Sequence, residues 1–212
     1  MRRVVAARQS RVAFDQFAGA LETDGFAALR LVTKTGGPGT IDPLKNGEVT
    51  VDVAPGPYVL ACFISDQDGV PHVAKGMLKP FTVTQPLAQT SELHQVNRTM
   101  TMRDFSFDMR ERLLSGKVTC RIANSGLQPH ELNILKLAPD KALDDVLAWQ
   151  ANPTTQPPFQ AVGGMNGLSP GLEGYTTVDL QPGTYVAICH IPDPGTGLPH
   201  SHLGMIKSFT VD

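Results

Sequence analysis

Three observations predict an all-β fold for this chain. The first is punctuation: among 212 residues there are 20 glycines and 17 prolines, about 17% of the chain against roughly 12% on average. No Gly-X-Y period accompanies them, so the surplus reads as turns between short strands. The second is alternation: short runs such as GKVTCRIANSG and HELNILKLAP place apolar residues at every other position, the signature of half-buried strands. The third is recurrence, since the same pattern runs through the chain twice.

Composition excludes several classes. Hydrophobic residues at 41% and charged residues at 18% are globular values. A net charge of −2 argues against a nucleic-acid partner, which calls for a basic patch. No apolar run approaches the roughly 20 residues of a bilayer span. Three cysteines, Cys62, Cys120 and Cys189, are too few for a disulfide framework.

The repeat sets the organisation. PGPYVLACFISDQDGVPHVAKGMLKPFTV at 55–83 matches PGTYVAICHIPDPGTGLPHSHLGMIKSFTV at 182–211. Tyr58 pairs with Tyr185 and Cys62 with Cys189 at one offset, 127 residues. After a one-residue insertion, His72 pairs with His200, Met77 with Met205 and Phe81 with Phe209. Upstream, Gly36-Gly37 matches Gly163-Gly164 and Val49–Val53 matches Thr176–Leu180. The chain therefore divides into a partial domain at 1–86, a polar linker at 87–98 and a complete domain at 99–212.

MRRVVAARQS carries the charges of a secretory leader, but Arg8, Gln9 and Arg11 interrupt any apolar region, so no working export signal is visible. VAFDQFAGAL reads as a helix, the counterpart of DKALDDVLAWQAN in the second copy. There Asp140 is a plausible N-cap, and Ala142, Val146 and Trp149 share one face. In the second copy MTMRDFSFDM, GKVTCRIANSG and HELNILKLAP precede that helix as strands. Strands at Thr176–Leu180, Thr184–His190 and Met205–Val211 follow it. Gly163-Gly164-Met165-Asn166-Gly167 reads as a turn, with no phosphate motif around it. The first copy lacks a counterpart of 99–129, about two strands, because His130 falls opposite Met1. That leaves an uncovered face, and a second chain that supplied the strands would make an oligomer.

The chemistry-bearing residues fall in the order His130, Cys189, His200, Met205, the last two separated by four residues. A thiolate, two imidazoles and a thioether make a blue-copper set: a short Cu–S bond, a trigonal plane and a weak axial ligand. Zinc also takes Cys and His, but a Met ligand disfavours it. No G-x-S-x-G, H-E-x-x-H or P-loop competes. Cys120 alternates with Val118 and Ile122 as a core residue, His94 lies in the linker, His190 flanks the site, and His202 is a weaker alternative to His200.

Residues 99–212 resemble a cupredoxin, the blue (type 1) copper fold. The carriers are N124-S-G-L-Q-P-H130 upstream and PGTYVAIC189…H200-SHL-GM205 downstream. The resemblance implies a Greek-key β-sandwich, one complete cupredoxin-like domain plus a partial N-terminal one, each with a short helix. It implies one type 1 copper held by His130, Cys189, His200 and Met205, with Cys62, His72 and Met77 an incomplete second site. It further implies one-electron transfer between redox partner proteins, no enzymatic activity, and a periplasmic or extracellular setting. Ten residues separate Cys189 from His200, as in the long loop of copper nitrite reductases. Those enzymes carry a His before the Cys where this chain has Ile188, which disfavours a second copper site and nitrite reduction. Glu131 stands where small cupredoxins often have Asn. The alternatives are a non-redox structural or interaction module, and copper carriage or storage.

Overall fold

The computed structural model describes residues 4–9, 13–66, 68–84, 96, 98–109 and 112–212, and at residues 4–9 and 26 it describes the backbone alone. His94 and most of the linker lie outside the described residues. The first copy supplies β1 (Val4–Gln9), α1 (Phe14–Asp24), β2 (Val32–Gly36), β3 (Glu48–Val51), β4 (Gly56–Cys62) and β5 (Leu78–Val83). The second supplies β6 (Arg98–Arg103), β7 (Ser106–Met109), β8 (Gly116–Asn124), β9 (His130–Leu137), α2 (Leu143–Ala151), β10 (Phe159–Leu168), β11 (Glu173–Leu180), β12 (Gly183–Ile188) and β13 (Ile206–Val211).

The strands form an all-β sandwich. One sheet has eight strands in the order β13-β12-β9-β10-β2-β1-β4-β5, and the other has five in the order β3-β11-β8-β6-β7. The alternation seen in the sequence is the burial pattern. Val118, Cys120 and Ile122 on β8 point inward to meet Leu132, Ile134, Tyr185 and Ala187 of the facing sheet. The opposite faces of β9 and β12 carry Leu135, Val186 and Ile188 outward under α2, against Val146 and Trp149. In the first copy Phe17, Ala28, Val32 and Val59 form the matching layer under α1.

The eight-stranded order is a palindrome of the repeat. The pairings β1·β2, β1·β4 and β4·β5 mirror β9·β10, β9·β12 and β12·β13. The copies meet about a local two-fold axis. Val49 pairs with Thr176 and Pro38 with Met165, each residue opposite its own repeat partner. Thr35↔Leu168 and Ile41↔Val162 are likewise mates across the axis. Through these contacts β3 extends the second copy's smaller sheet, so the first copy leans on the second. The strands β6–β8 that cover the second copy have no counterpart over the first among the described residues. Met77 and Phe81 are 37% exposed there.

Three local expectations are corrected. Residues 163–167 are not a turn but part of β10, and all five positions are buried. The glycines there absorb register shifts between Ala161 and Gly163 and between Met165 and Leu168. Asp140 does not cap α2: it has φ 61°, and the helix starts at Leu143 with Asp145 accepting from the Ala142 amide. The inner face of α2 is accordingly Leu143, Val146 and Trp149, with Ala142 exposed. MTMRDFSFDM is two strands, β6 and β7, joined at Asp104-Phe105.

Gly164 has φ 131°, and a Cβ there would lie 2.0 Å from the Leu132 carbonyl oxygen. Backbone cannot yield as a flexible side chain can. Gly164→Ala is expected to destabilise by about 3 kcal/mol, a fall of roughly 6–12 °C in Tm. Gly171→Ala, with φ 77° and open space around it, incurs only the left-handed strain of about 1 kcal/mol. Thermal unfolding of the two variants checks the contrast; equal losses would refute it.

Candidate metal centre

His130 opens β9, Cys189 follows the last residue of β12, and His200 begins a single 3-10 turn, His200–Leu203, before β13. The fold brings the three together in the interior. All are fully buried, and one ligand atom from each lies within 4.8 Å of the others. His130 Nδ1 and His200 Nδ1 are 3.0 Å apart, and Cys189 Sγ is 3.5 Å from His200 Nδ1.

Backbone hydrogen bonds hold the ligand loop. Cys189 N donates to Met205 O at 3.2 Å, Met205 N to His200 O at 2.9 Å and His200 N to Ile191 O at 2.9 Å. Gly204 closes the 3-10 turn at φ 110°, a left-handed conformation that glycine adopts without strain. Met205 is thereby placed in the core cluster that contains Cys189, with no exposure. The Glu131 amide donates to Cys189 Sγ at 3.4 Å, favouring thiolate.

The outer nitrogens set the inner ones. His130 Nε2 donates to Asp104 Oδ1 at 2.9 Å, and His200 Nε2 donates to Gln128 Oε1 at 3.0 Å. Gln128 is oriented in turn by its Nε2 donating to Asp193 Oδ1 at 2.8 Å. With both Nε2 atoms protonated, both neutral rings present Nδ1 lone pairs to the same point as the thiol. Two acceptors facing each other at 3.0 Å repel unless a cation stands between them. The donor set of two imidazole nitrogens, one thiolate and a neighbouring thioether, in a pocket closed to water, fits one type 1 copper ion.

Asp104 and Gln128 were not among the sequence candidates. Asp104 sits in the β6–β7 turn, and only the parallel pairing of β6 with β8 brings it to His130. No spacing in the sequence signals that contact. Phe105, held at φ 61°, sets its ring edge-on to His200 at 5.3 Å.

The first copy reproduces the loop. Cys62 Sγ lies 3.5 Å from His72 Nδ1. Cys62 N donates to Met77 O at 3.1 Å, Met77 N to His72 O at 2.9 Å and His72 N to Ile64 O at 2.8 Å. Cys62 is buried but Met77 is not, and the position matching His130 falls ahead of β1, outside the described residues. Cys120 is a core residue of β8, 6% exposed. His202 is exposed and stands apart from the cluster.

Burial pushes His130 below its ordinary pKa, against the opposing pull of Asp104. It also pushes His200 down, with the neighbouring His130 adding to the shift. Desolvation raises the Asp104 carboxyl, but hydrogen bonds from the Leu127 amide, His130 and the Gln128 amide outweigh it and hold it below the usual range. A histidine depressed in the folded state contributes stability above its unfolded pKa of about 6.5, and that contribution is lost as pH falls below it. The Tm of metal-free protein is expected to drop between pH 7.5 and 5, and His200→Gln to flatten the drop. A pH-independent Tm over that range would contradict the assigned protonation states.

No family model and no curated protein matches this chain. Among solved structures, it is similar to an auracyanin from Roseiflexus castenholzii at 24% identity, over 55% of this chain and 98% of that one, with a TM-score of 0.38. It is similar to auracyanin A, a "blue" copper protein from Chloroflexus aurantiacus, at 22% identity over 54% and 99%, with a TM-score of 0.36. A multicopper oxidase from Campylobacter jejuni, a metallo-oxidase, aligns at 15% identity over 76% and 42%, with a TM-score of 0.32.

Proposed function

We propose that this protein binds one type 1 copper ion through His130, Cys189, His200 and Met205 and carries single electrons between redox partners. The observation that carries the reading is the pair of Nδ1 lone pairs held 3.0 Å apart beside a buried thiol. When bound, copper supplies a one-electron couple. The protein's own residues do the rest. Asp104 and Gln128 fix both rings, the Glu131 amide steadies the sulfur, and the loop hydrogen bonds keep the donors in place. A cage that changes little between oxidation states keeps electron transfer fast. Ile188 precedes Cys189 and packs under α2, so no imidazole stands there to hold a second metal, and we read the protein as a carrier rather than an enzyme. Leu127 and Leu198, 87% and 45% exposed near the ligand loops, offer apolar surface to a partner protein. A periplasmic or extracellular setting suits this chemistry. No helix of the described residues is long and apolar enough to cross a membrane.

A second reading, carriage of Cu(I), is favoured by the soft donors Cys62, His72 and Met77 on a loop with the same hydrogen bonds and a half-open thioether. Reversible redox cycling without metal loss would argue for electron transfer over carriage.

Adding Cu(II) to the metal-free protein is expected to give an intense visible thiolate-to-copper band at one equivalent, abolished in Cys189→Ser. A colourless complex, or colour surviving in that variant, would sink the proposal. Because a carboxylate behind a ligand imidazole raises its basicity and favours the higher oxidation state, Asp104→Asn should keep the band and raise the reduction potential. An unchanged potential would remove Asp104 from the electrostatics of the site.

A further inference from the structure

The first copy leans on the second, and it also reaches past the shared edge into it. Residues 37–42 run along β10: Gly39 N donates to Gly164 O at 3.0 Å, Asn166 N to Gly37 O at 2.8 Å and Asp42 N to Ala161 O at 3.2 Å. On the other side of β10, Gly164 pairs with Asn133 of β9. The Asn133 side chain bridges the two sides, its Oδ1 accepting from the Thr40 amide at 2.9 Å. Asn133 is fully buried and Thr40 is 5% exposed.

From Asn133 the bonds run on to the metal centre. Asn133 Nδ2 donates to Glu131 Oε1 at 2.9 Å, and the same oxygen accepts from the His190 amide at 3.0 Å. That amide belongs to the peptide that joins Cys189 to His190. The Glu131 amide donates to Cys189 Sγ at 3.4 Å, so one residue grips Cys189 at its sulfur and at its outgoing peptide. Glu131 is 2% exposed, and at such a depth a backbone N–H that loses its acceptor has no water to replace it. The relay runs in one direction. By register, β1 carries Val5 where β9 carries Asn133, and Gly167 stands where Thr40 does in the repeat. Valine offers no side-chain acceptor, so this side-chain bond has no reciprocal form.

We propose that the first copy is a positioning element of the metal centre: through Thr40, Asn133 and Glu131 it fixes the Cys189–His190 peptide and with it the direction of the Cys189 sulfur. Asn133 and Glu131 are positioning residues, outside the cluster of donor atoms. Hydrogen bonds behind a metal ligand set its direction, and their loss weakens metal binding about tenfold to a hundredfold. The proposal rests on the copper reading only where its test uses copper.

The metal-free full chain gives the first measurement, hydrogen exchange at the His190 amide followed by NMR. Asn133→Leu removes both side-chain bonds at similar volume, and Thr40→Pro removes only the donor from the first copy. Each should speed exchange at His190 roughly tenfold, the scale of one lost hydrogen bond, while amides of β8 and β11 in the facing sheet keep their rates. An unchanged His190 rate in either variant overturns the relay, and so does an acceleration no greater at His190 than in β8 and β11. Loading with Cu(II) gives the second measurement. Asn133→Leu and Glu131→Ala should shift the thiolate-to-copper band and weaken Cu(II) binding about tenfold to a hundredfold. Acting in series, the two changes together should weaken it no more than the worse one alone. Glu131→Gln, which keeps an acceptor for the His190 amide, should retain the band of the unsubstituted protein. A band that stays in place in Asn133→Leu overturns the proposal. If the unsubstituted protein gives no such band, the copper reading fails and the exchange rates alone decide the relay.

Discussion

Two imidazole lone pairs held face to face in a buried pocket are the constraint on which the rest of the structure turns. Neutral rings do not rest that way by preference. They are held because each carries its proton on the far nitrogen, where Asp104 and Gln128 accept it. Those two acceptors are themselves pinned. Asp104 takes the amides of Leu127 and Gln128, and Gln128 is tied to Asp193, which is bound in turn by the amides of Gly195 and Thr196. The geometry at the centre is thus fixed from outside inward, by groups that would not touch the ion. A site prepared this way has little to rearrange when a cation arrives or changes charge.

The scaffold that holds these groups is a sandwich shared between two copies of one motif. A half-domain with a single four-stranded sheet would leave one face and two edges to solvent. The local two-fold axis at Val49–Thr176 and Pro38–Met165 resolves part of that problem. It lets β3 join the second copy's smaller sheet and β2 meet β10. The pairing also closes the glycine-rich segments of both copies against each other: a Cβ on Gly39 would strike the Gly163 and Gly164 backbone at 2.9 Å. Close approach between the copies is therefore why Gly39 is a glycine, while Gly164 is held to glycine by β9 within its own copy.

The candidate donor set was legible in the sequence because repetition isolates it. Cys, His and Met recur at matched spacing in two stretches whose other positions drift, and those three side-chain types together have few uses besides a soft metal. Several strands of the second copy were legible because they have one wet and one dry face, as β8 shows by burying every second residue. β10 was misread for the opposite reason. It is buried on both faces, so alternation is lost, and its glycines suggest a turn although they serve bulges and close packing. Asp104 and Gln128 were invisible because their roles depend on the parallel β6·β8 pairing, a long-range contact with no local signal. His190 read as a flanking residue for the same reason, since its contacts with Gln150 and Glu131 exist only once α2, β9 and the ligand loop are packed.

The two ligand loops separate what the loop sequence determines from what its surroundings determine. Their backbone hydrogen bonds agree to about 0.1 Å, and both place sulfur 3.5 Å from an imidazole Nδ1. Local sequence is sufficient for that much. Burial is not local: Met205 is sealed at 0% exposure while Met77 stands at 37%, because among the described residues β6, β7 and β8 roof the second copy only. A roof does more than exclude water. The β6–β7 turn brings Asp104 and Phe105 to the two imidazoles, and the segment leading out of β8 brings Gln128 and His130 itself. These strands and the connection from β8 into β9 therefore supply both outer acceptors and the dry surround, and lead to the fourth donor at the start of β9. Among the described residues no strand takes their place over the first copy, where the loop keeps the right local shape and three of the four donors.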